Sequence, residues 1–146
     1  MTIEYYHNES ALLVGKEAIR RYILGGKGVV TLKSPSGVHH TYSFRFPREP
    51  EKFPEDTYFV YVMNSETDWD YIGMLQRGSL RTTCMSRYAH SNPLFKGAAY
   101  IVKMMTSDMD TPMMLYHEGV CSICGKRLTN PKSLEIGIGP VCLHRG

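Results

Sequence analysis

The sequence lacks the features of membrane, secreted and repetitive proteins. No apolar run reaches the ~18 residues that a membrane-spanning helix requires. The first residues contain neither a basic stretch nor an apolar one, so we expect no signal peptide. There is no internal repeat, and 42% hydrophobic with 21% charged residues is typical of a soluble globular protein. We therefore expect a cytoplasmic protein that does not contact membranes.

Motifs of catalysis are also missing. The sequence has no H-E-x-x-H motif, no H-x-E paired with P-C-x-x-C, no nucleophile elbow and no P-loop. The paired histidines His39 and His40 lie in a predicted strand, where adjacent side chains point to opposite faces. We therefore predict that the protein is not an enzyme.

Acidic residues are absent from a long central segment. Between Tyr71 and Ser107 there is no Asp or Glu, and from Ser10 to Arg48 the only acid is Glu17. The central segment carries five cations, which are Arg77, Arg81, Arg87, Lys96 and Lys103. This segregation is typical of a basic face that binds nucleic acid. The alternative is the solvated surface of a protein whose net charge is only +3.

Three of the four cysteines have the spacing of a zinc site. Cys121 and Cys124 form a C-x-x-C pair followed by a glycine, and Cys142 comes shortly after. Thiols in a reducing cytosol rarely form stable disulfides, and two thiolates in one tight turn can bind the same ion. We predict one structural Zn²⁺ bound by these three cysteines, with redox chemistry as the alternative. Cys84 has no partner in the sequence and is predicted to be a buried thiol.

The fourth zinc ligand is predicted to be a histidine. His117 lies four residues before the C-x-x-C pair and enters it from a predicted strand, so it is the preferred candidate. His144 follows Cys142 by two residues, and this spacing on a helix points the two side chains in different directions. A water molecule in this position is the third possibility, and it would make the site potentially catalytic.

The body of the chain shows helical and strand patterns in a regular order. Helices are predicted at 11–24, capped by Ser10, and at 92–105, where Asn92-Pro93 forms the start. Strands are predicted at 29–33, 38–46, 58–63, 69–75 and 79–85, with a short sixth at 113–116. The second strand alternates apolar and polar residues, which indicates burial on one face. This order predicts an α+β fold with an antiparallel meander of about five strands and two helices.

The C-terminal residues resemble a known family. The run from His117-Glu118-Gly119-Val120-Cys121 to Gly139-Pro140-Val141-Cys142 fits the pattern H-E-G-x-C-x-x-C-G-K-x-L-T-x-P-x-S-x-x-x-G-I-G-P-x-C. This pattern is similar to that of a zinc-finger-like domain of unknown function found in small phage and prophage proteins. The resemblance implies a zinc-binding phage protein, located in the host cytoplasm, and implies no activity.

The order of elements in this C-terminal part is that of a treble-clef finger, with a knuckle, the segment 128–136 and a helix from Pro140. We predict a body at residues 1–112 and a zinc module at 113–146 that packs on it. The predicted function is binding of DNA or RNA, to which Lys126, Arg127 and Lys132 of the module would contribute. The alternative is a phage effector that binds and inhibits a host protein or defence system. Its contact surface would be the acidic loop at 49–56 or an exposed cluster of methionines.

Overall fold

The computed structural model describes residues 11–65 and 68–127, and these residues form an α+β fold. The structure contains two α-helices, a short 3₁₀ helix at Pro50–Lys52 and one antiparallel sheet of six strands, which confirms the predicted class. No helix among the described residues is long and apolar enough to cross a membrane. The predicted helix from Pro140 and the cap at Ser10 lie outside the described residues.

The sheet is a five-stranded meander with a sixth strand added at its first edge. The strands are β1 Lys27–Lys33, β2 His39–Arg45, β3 Thr57–Met63, β4 Trp69–Gln76, β5 Ser79–Arg81 and β6 Met114–His117. Their order across the sheet is β5-β4-β3-β2-β1-β6, and every neighbouring pair is antiparallel. The strand at the start of the predicted zinc module is therefore an edge strand of the body's own sheet. The division of the chain at residue 113 stays a prediction.

One face of the sheet is covered by both helices. This helix-covered face presents fully buried side chains from successive strands, among them Val30, Tyr42, Phe44, Val60 and Val62. Helix α1 Lys16–Ile23 and helix α2 Pro93–Thr106 pack on it and on each other. Because side chains alternate along a strand, the residues between these lie on the opposite face.

Helix α1 is shorter than the sequence predicts. It begins after Gly15, whose φ of 89° is outside the helical region, and it ends at Ile23. The preceding residues are extended, since Leu12 forms a bridge with Tyr116 and the Leu13 amide donates to the Leu115 carbonyl (2.8 Å). The prediction of a helix from residue 11 was wrong because pairing with β6 satisfies this backbone instead.

Helix α2 follows the sequence closely. The Asn92 side chain accepts a hydrogen bond from the Leu94 amide (2.9 Å), and Pro93 occupies the first helical position. Near this end the buried Tyr42 hydroxyl donates to the Leu94 carbonyl at 2.7 Å. The same hydroxyl leaves no room for a side chain at Gly97, where a methyl group would overlap it. Glycine at this position therefore lets α2 approach β2 closely.

Two strand predictions need correction. In β2 the polar residues Thr41 and Ser43 are buried like their apolar neighbours Tyr42 and Phe44, so from Thr41 to Phe44 the side chains are buried on both faces and not on one. Strand β5 ends at Arg81 instead of reaching residue 85. The chain turns there, with the Thr83 amide donating to the Ser86 hydroxyl at 2.9 Å. A local side-chain hydrogen bond thus takes the place of further pairing between β5 and β4.

We predict that Gly97→Ala lowers the free energy of unfolding although alanine is the better helix former. Overpacking against the Tyr42 hydroxyl costs about 1–3 kcal/mol, against a propensity gain of about 1 kcal/mol. Removing the hydroxyl with Tyr42→Phe should relieve the clash at the cost of one hydrogen bond, about 1 kcal/mol. Urea denaturation of both single variants and of the double variant measures the coupling. Equal losses from Gly97→Ala in the two backgrounds would contradict this account.

Candidate metal centre and nucleic-acid interface

The C-x-x-C pair lies in a tight turn directly after β6. The Gly125 amide donates to the Cys121 carbonyl, and the Cys121 amide donates to the Lys126 carbonyl, both at 2.8 Å. Val120 and Arg127 form a bridge that closes the turn, and Gly125 has a φ of 78°, which favours glycine. We call this turn, residues 120–127, the knuckle. It holds Cys121, which is fully buried, and Cys124, which is partly exposed, in one loop.

The knuckle is tied to the body by hydrogen bonds at its first residues. The Lys27 amide at the start of β1 donates to the Ser122 carbonyl at 2.8 Å. The buried Tyr22 hydroxyl of α1 donates to the Val120 carbonyl at 2.9 Å. A side chain at Gly25 would overlap Ser122, so the chain between α1 and β1 passes directly beside the knuckle. The position of the C-x-x-C pair is therefore fixed by the sheet and by α1.

A buried polar cluster lies beside the knuckle on the face opposite the helices. The Thr31 hydroxyl donates to the Glu118 carboxyl group and also contacts the Thr41 hydroxyl at 2.6 Å. Glu118 is only 2% exposed, and its amide donates to the Val29 carbonyl. Burial raises the pKa of the Glu118 carboxyl group from 4.5 to about 7, while the Thr31 hydrogen bond opposes this rise.

His117 lies at the end of β6 with a fully buried side chain. Its ring packs against Tyr22 with 5.3 Å between the ring centroids, and its Nδ1 accepts a hydrogen bond from the Gly119 amide (3.1 Å). A neutral histidine that binds zinc through Nε2 carries its proton on Nδ1 and donates it to an acceptor. The Gly119 hydrogen bond therefore weighs against His117 as a ligand in this arrangement, and the assignment stays a prediction.

The predicted zinc ligands are only partly within the described residues. Cys121 and Cys124 share one turn, whereas Cys142 and His144 lie outside the part of the chain that the structure describes. Within residues 11–65 and 68–127 no three His, Cys, Asp or Glu side chains group together to hold a metal ion. His117 is thus not grouped with the two described cysteines. The donor set still fits zinc, since a glycine-containing turn that carries two thiols is the usual half of such a site.

Cys84 is exposed, so the prediction of a buried thiol was wrong. The residue follows the shortened strand β5 and lies in the turn that Thr83 and Ser86 form. Its side chain therefore faces solvent instead of continuing the alternation of the strand.

The cations of the acid-free segment come from different elements of the fold. Lys96 and Lys103 lie exposed on α2, which covers one face of the sheet. Arg81 belongs to edge strand β5, and its side chain donates to the Gln76 side chain. Arg77 occupies the turn before β5 with a φ of 50°, and the Arg87 amide donates to the Tyr71 carbonyl.

The knuckle cations are at the other side of the sheet. Lys126 and Arg127 are both exposed. They lie near β1, since the neighbouring Gly125 lies next to the Lys27 side chain. Strands β5 and β6 form opposite edges of the sheet, so these two residues lie at the opposite edge from Arg81. Lys132 lies outside the described residues. The seven described cations therefore come from both edges of the sheet and from α2, and their role in binding stays a prediction.

A group of aromatic rings on the face opposite the helices was missed in the sequence. It consists of Phe53, Phe59, Tyr61, Trp69 and Tyr71, which are all partly exposed, and we call it the aromatic face. Adjacent rings meet edge to face, with centroids 5.2 Å apart for Phe53–Phe59, 5.9 Å for Phe59–Tyr71 and 5.6 Å for Tyr61–Tyr71. The signal was present, since Phe59 with Tyr61 and Trp69 with Tyr71 each stand two residues apart on paired strands.

Arg45 contacts the aromatic face and also lines a cationic groove beside it. The Arg45 guanidinium lies 4.3 Å from the centroid of the Tyr61 ring and 5.2 Å from that of Trp69, a cation–π arrangement. The groove beside it has a volume of about 1020 Å³. Its charged lining residues are Lys27, Arg45 and Arg48, and no acid is among the described residues that line it. Phe46, which is 52% exposed, lines the groove as well. Among the described residues the groove is thus lined by cations and bordered by rings.

Comparison with known proteins finds a similarity only in the C-terminal part. Residues 116–145 match DUF6011, a family of unknown function. No curated protein and no solved structure matches the chain. The matched segment begins in β6 and contains the knuckle, so it coincides with the motif that resembles the zinc-finger-like phage family. The description of the matching family names neither a metal nor a phage.

We predict that Glu118→Gln changes how stability depends on pH. Because the folded protein raises this pKa, the unfolded chain binds fewer protons between pH 4.5 and about 7. Glu118 therefore makes the wild-type protein less stable as pH rises through this range, and the glutamine variant should lack that loss. Urea unfolding of both proteins at several pH values tests this. The same pH dependence in both would show that Glu118 does not titrate in this way.

Proposed function

We propose that the protein binds nucleic acid without catalysis, through the cationic groove, and that a structural zinc ion fixes the adjacent knuckle. The observation that carries the proposal is the charge of the groove, in which Lys27, Arg45 and Arg48 line one surface with no acid among its described residues. Phosphate is the biological group that such a surface favours, because each neutralised phosphate releases a counterion.

The knuckle extends this positive surface. Lys27 lines the groove, and its side chain lies next to Gly125 of the knuckle, which is followed by Lys126 and Arg127. All three lysine and arginine residues are exposed. A nucleic acid in the groove would therefore meet the knuckle cations next. This arrangement favours the groove over the acid-free segment, whose cations come from a turn, an edge strand, a loop and a helix.

Cys121, Cys124 and Cys142 are the proposed zinc ligands, with His117 as the fourth. Zinc supplies no chemistry here beyond holding the knuckle and the residues after it in one geometry. The buried position of Cys121 and its hydrogen bond to Lys126 support this role, since both place the first thiol inside a closed turn. For His117 to ligate, the hydrogen bond from Gly119 to Nδ1 must open.

The second candidate function is inhibition of a host protein of a phage-infected cell. The observation in its favour is the loop at 49–56, which is exposed at nearly every residue and carries Glu49, Glu51, Glu55 and Asp56. Only Phe53 of this loop is partly buried, through its contact with Phe59. An acidic surface of this kind suits a basic protein partner. This function predicts that the protein captures a partner protein from host lysate, and that the capture survives nuclease treatment.

We predict salt-sensitive binding of nucleic acid that depends on the groove. Replacing Lys27 and Arg48 together by glutamine should weaken binding and flatten the dependence of log K on log salt by about two, one per lost contact. Fluorescence anisotropy with labelled oligonucleotides at several salt concentrations provides the measurement. Lys96→Gln with Lys103→Gln is the matched control, since it removes the same charge from exposed positions on α2.

A larger loss of affinity in the Lys96 and Lys103 control than in the Lys27 and Arg48 variant would assign the binding surface to the acid-free segment. Absence of binding at low salt would refute the nucleic-acid proposal and favour the host-protein alternative.

We predict about one zinc ion per chain, by analogy with closed sites of three cysteines and one histidine. Cys121→Ser should lose the metal and the folded geometry of the knuckle, because structural zinc contributes directly to folding. Cys84→Ser is the matched control, since Cys84 is exposed and lies apart from the knuckle. Elemental analysis of protein purified without added zinc measures the metal content. Wild-type protein that is folded and free of metal would contradict the prediction.

The fourth ligand is tested by challenge with a chelator. The proposal predicts faster zinc loss from His117→Ala than from His144→Ala. Faster loss from His144→Ala would assign the ligand to His144 and leave the Gly119 hydrogen bond to His117 intact.

A further inference from the structure

The aromatic face and the cationic groove adjoin each other on the side of the sheet that the helices leave uncovered. Phe59, Tyr61 and Trp69 line the groove together with Lys27 and Arg48, so rings and cations border the same space. We propose that this surface binds single-stranded nucleic acid, with bases stacked on the rings and phosphates along the cations. The inference rests on the proposed function and specifies its ligand.

The burial of the strands shows why the rings are available. In β3 the alternating residues Val60 and Val62 are fully buried under the helices, which turns Phe59 and Tyr61 to the other face. The register of β3 with β4 pairs Tyr61 with Tyr71 and Met63 with Trp69. Aromatic side chains from two neighbouring strands therefore meet on one surface, and each keeps part of its area exposed to solvent.

The rings are held in place before any ligand arrives. Phe59 meets Phe53 and Tyr71 at interplanar angles of 89° and 88°, and Arg45 spans the rings of Tyr61 and Trp69. The Arg45 Nε also donates to the buried Ser43 hydroxyl at 2.9 Å, which fixes the guanidinium. Side chains that are already ordered lose little conformational entropy on binding. Arg45 is therefore a positioning residue for the two rings.

The combination of rings and cations selects a single strand over a duplex. Bases in a duplex are stacked on each other and cannot offer their faces to a protein ring, whereas bases of a single strand can. Stacking tolerates any base, since every base has a π-face, and the phosphates supply the salt-dependent part of the affinity. A purely phosphate-binding surface would carry the cations without the aromatic residues between them.

Intrinsic fluorescence offers a direct test, because Trp69 is the only tryptophan of the chain. An oligothymidylate of about 12 nucleotides should quench the tryptophan emission of the full-length protein as it saturates the site. The matching oligouridylate should do the same, while a duplex of equal length should bind more weakly and leave the emission unchanged. This readout requires no substitution and so does not depend on the folding of a variant.

Substitution of one ring gives the second arm of the test. Tyr61→Leu should weaken single-strand binding about tenfold and leave the salt slope unchanged, because one stacking contact is lost and no phosphate contact. Tyr100→Leu is the matched control, since Tyr100 lies on α2 away from the aromatic face. Both variants are compared with wild type by thermal unfolding.

The outcomes separate the inference from the function on which it rests. If oligonucleotides bind but Trp69 emission does not change and Tyr61→Leu binds like wild type, the aromatic face is not the site, and the nucleic-acid function stands. Equal affinity for duplex and single strand would also overturn the inference. If no oligonucleotide binds at low salt, the proposed function fails and the inference with it.

Discussion

Alternation of side chains along the strands gives the sheet two different faces, and the helices cover only one of them. The first face carries Tyr42, Phe44, Val60 and Val62, which are fully buried. Gly97 allows α2 to approach Tyr42 on this face closely. A shift of one residue in the pairing of β3 would move each of its side chains to the opposite face. The register therefore determines both the core and the exposed surface.

Strand β1 connects this sheet to the C-terminal part of the chain. It pairs with β2 on one side and with β6 on the other, and its first residue donates to Ser122 of the knuckle. The face opposite the helices therefore differs in burial and polarity along the sheet. Near β1 it is closed and polar, with Thr31 and Glu118 buried, whereas at β3 and β4 it is open and aromatic. The groove lies between these regions, next to the knuckle.

Much of the fold followed from local patterns in the sequence. Helix α2 was predicted within a residue of its bounds, because Asn92-Pro93 is a strong start signal and the Asn92 side chain does cap it. Helix α1 was predicted too long, since the pairing of Leu12 with Tyr116 joins residues 104 positions apart and has no local signal. The buried Thr41 is likewise linked through Thr31 to a residue distant in the sequence, Glu118.

The candidate sites likewise differ in how far they could be predicted from local sequence. The C-x-x-C turn could be predicted, because its chemistry lies within four neighbouring residues. The surface formed by Arg45, Tyr61 and Trp69 could not be read from charge runs, since it requires three strands in register. Conversely, the run of cations from Arg77 to Lys103 suggested one basic face, and the fold distributes these residues over an edge strand, a loop and a helix.

The central claim is that nucleic acid lies on the face of the sheet opposite the helices, and photochemical crosslinking tests it most directly. The full-length protein is irradiated with a bound single-stranded oligonucleotide, and the crosslinked peptides are identified by mass spectrometry. The account predicts crosslinks at Tyr61, Trp69 and their neighbours on the aromatic face. Crosslinks confined to α2 or to the segment around Arg77 and Arg87, with none on β3 and β4, would contradict it.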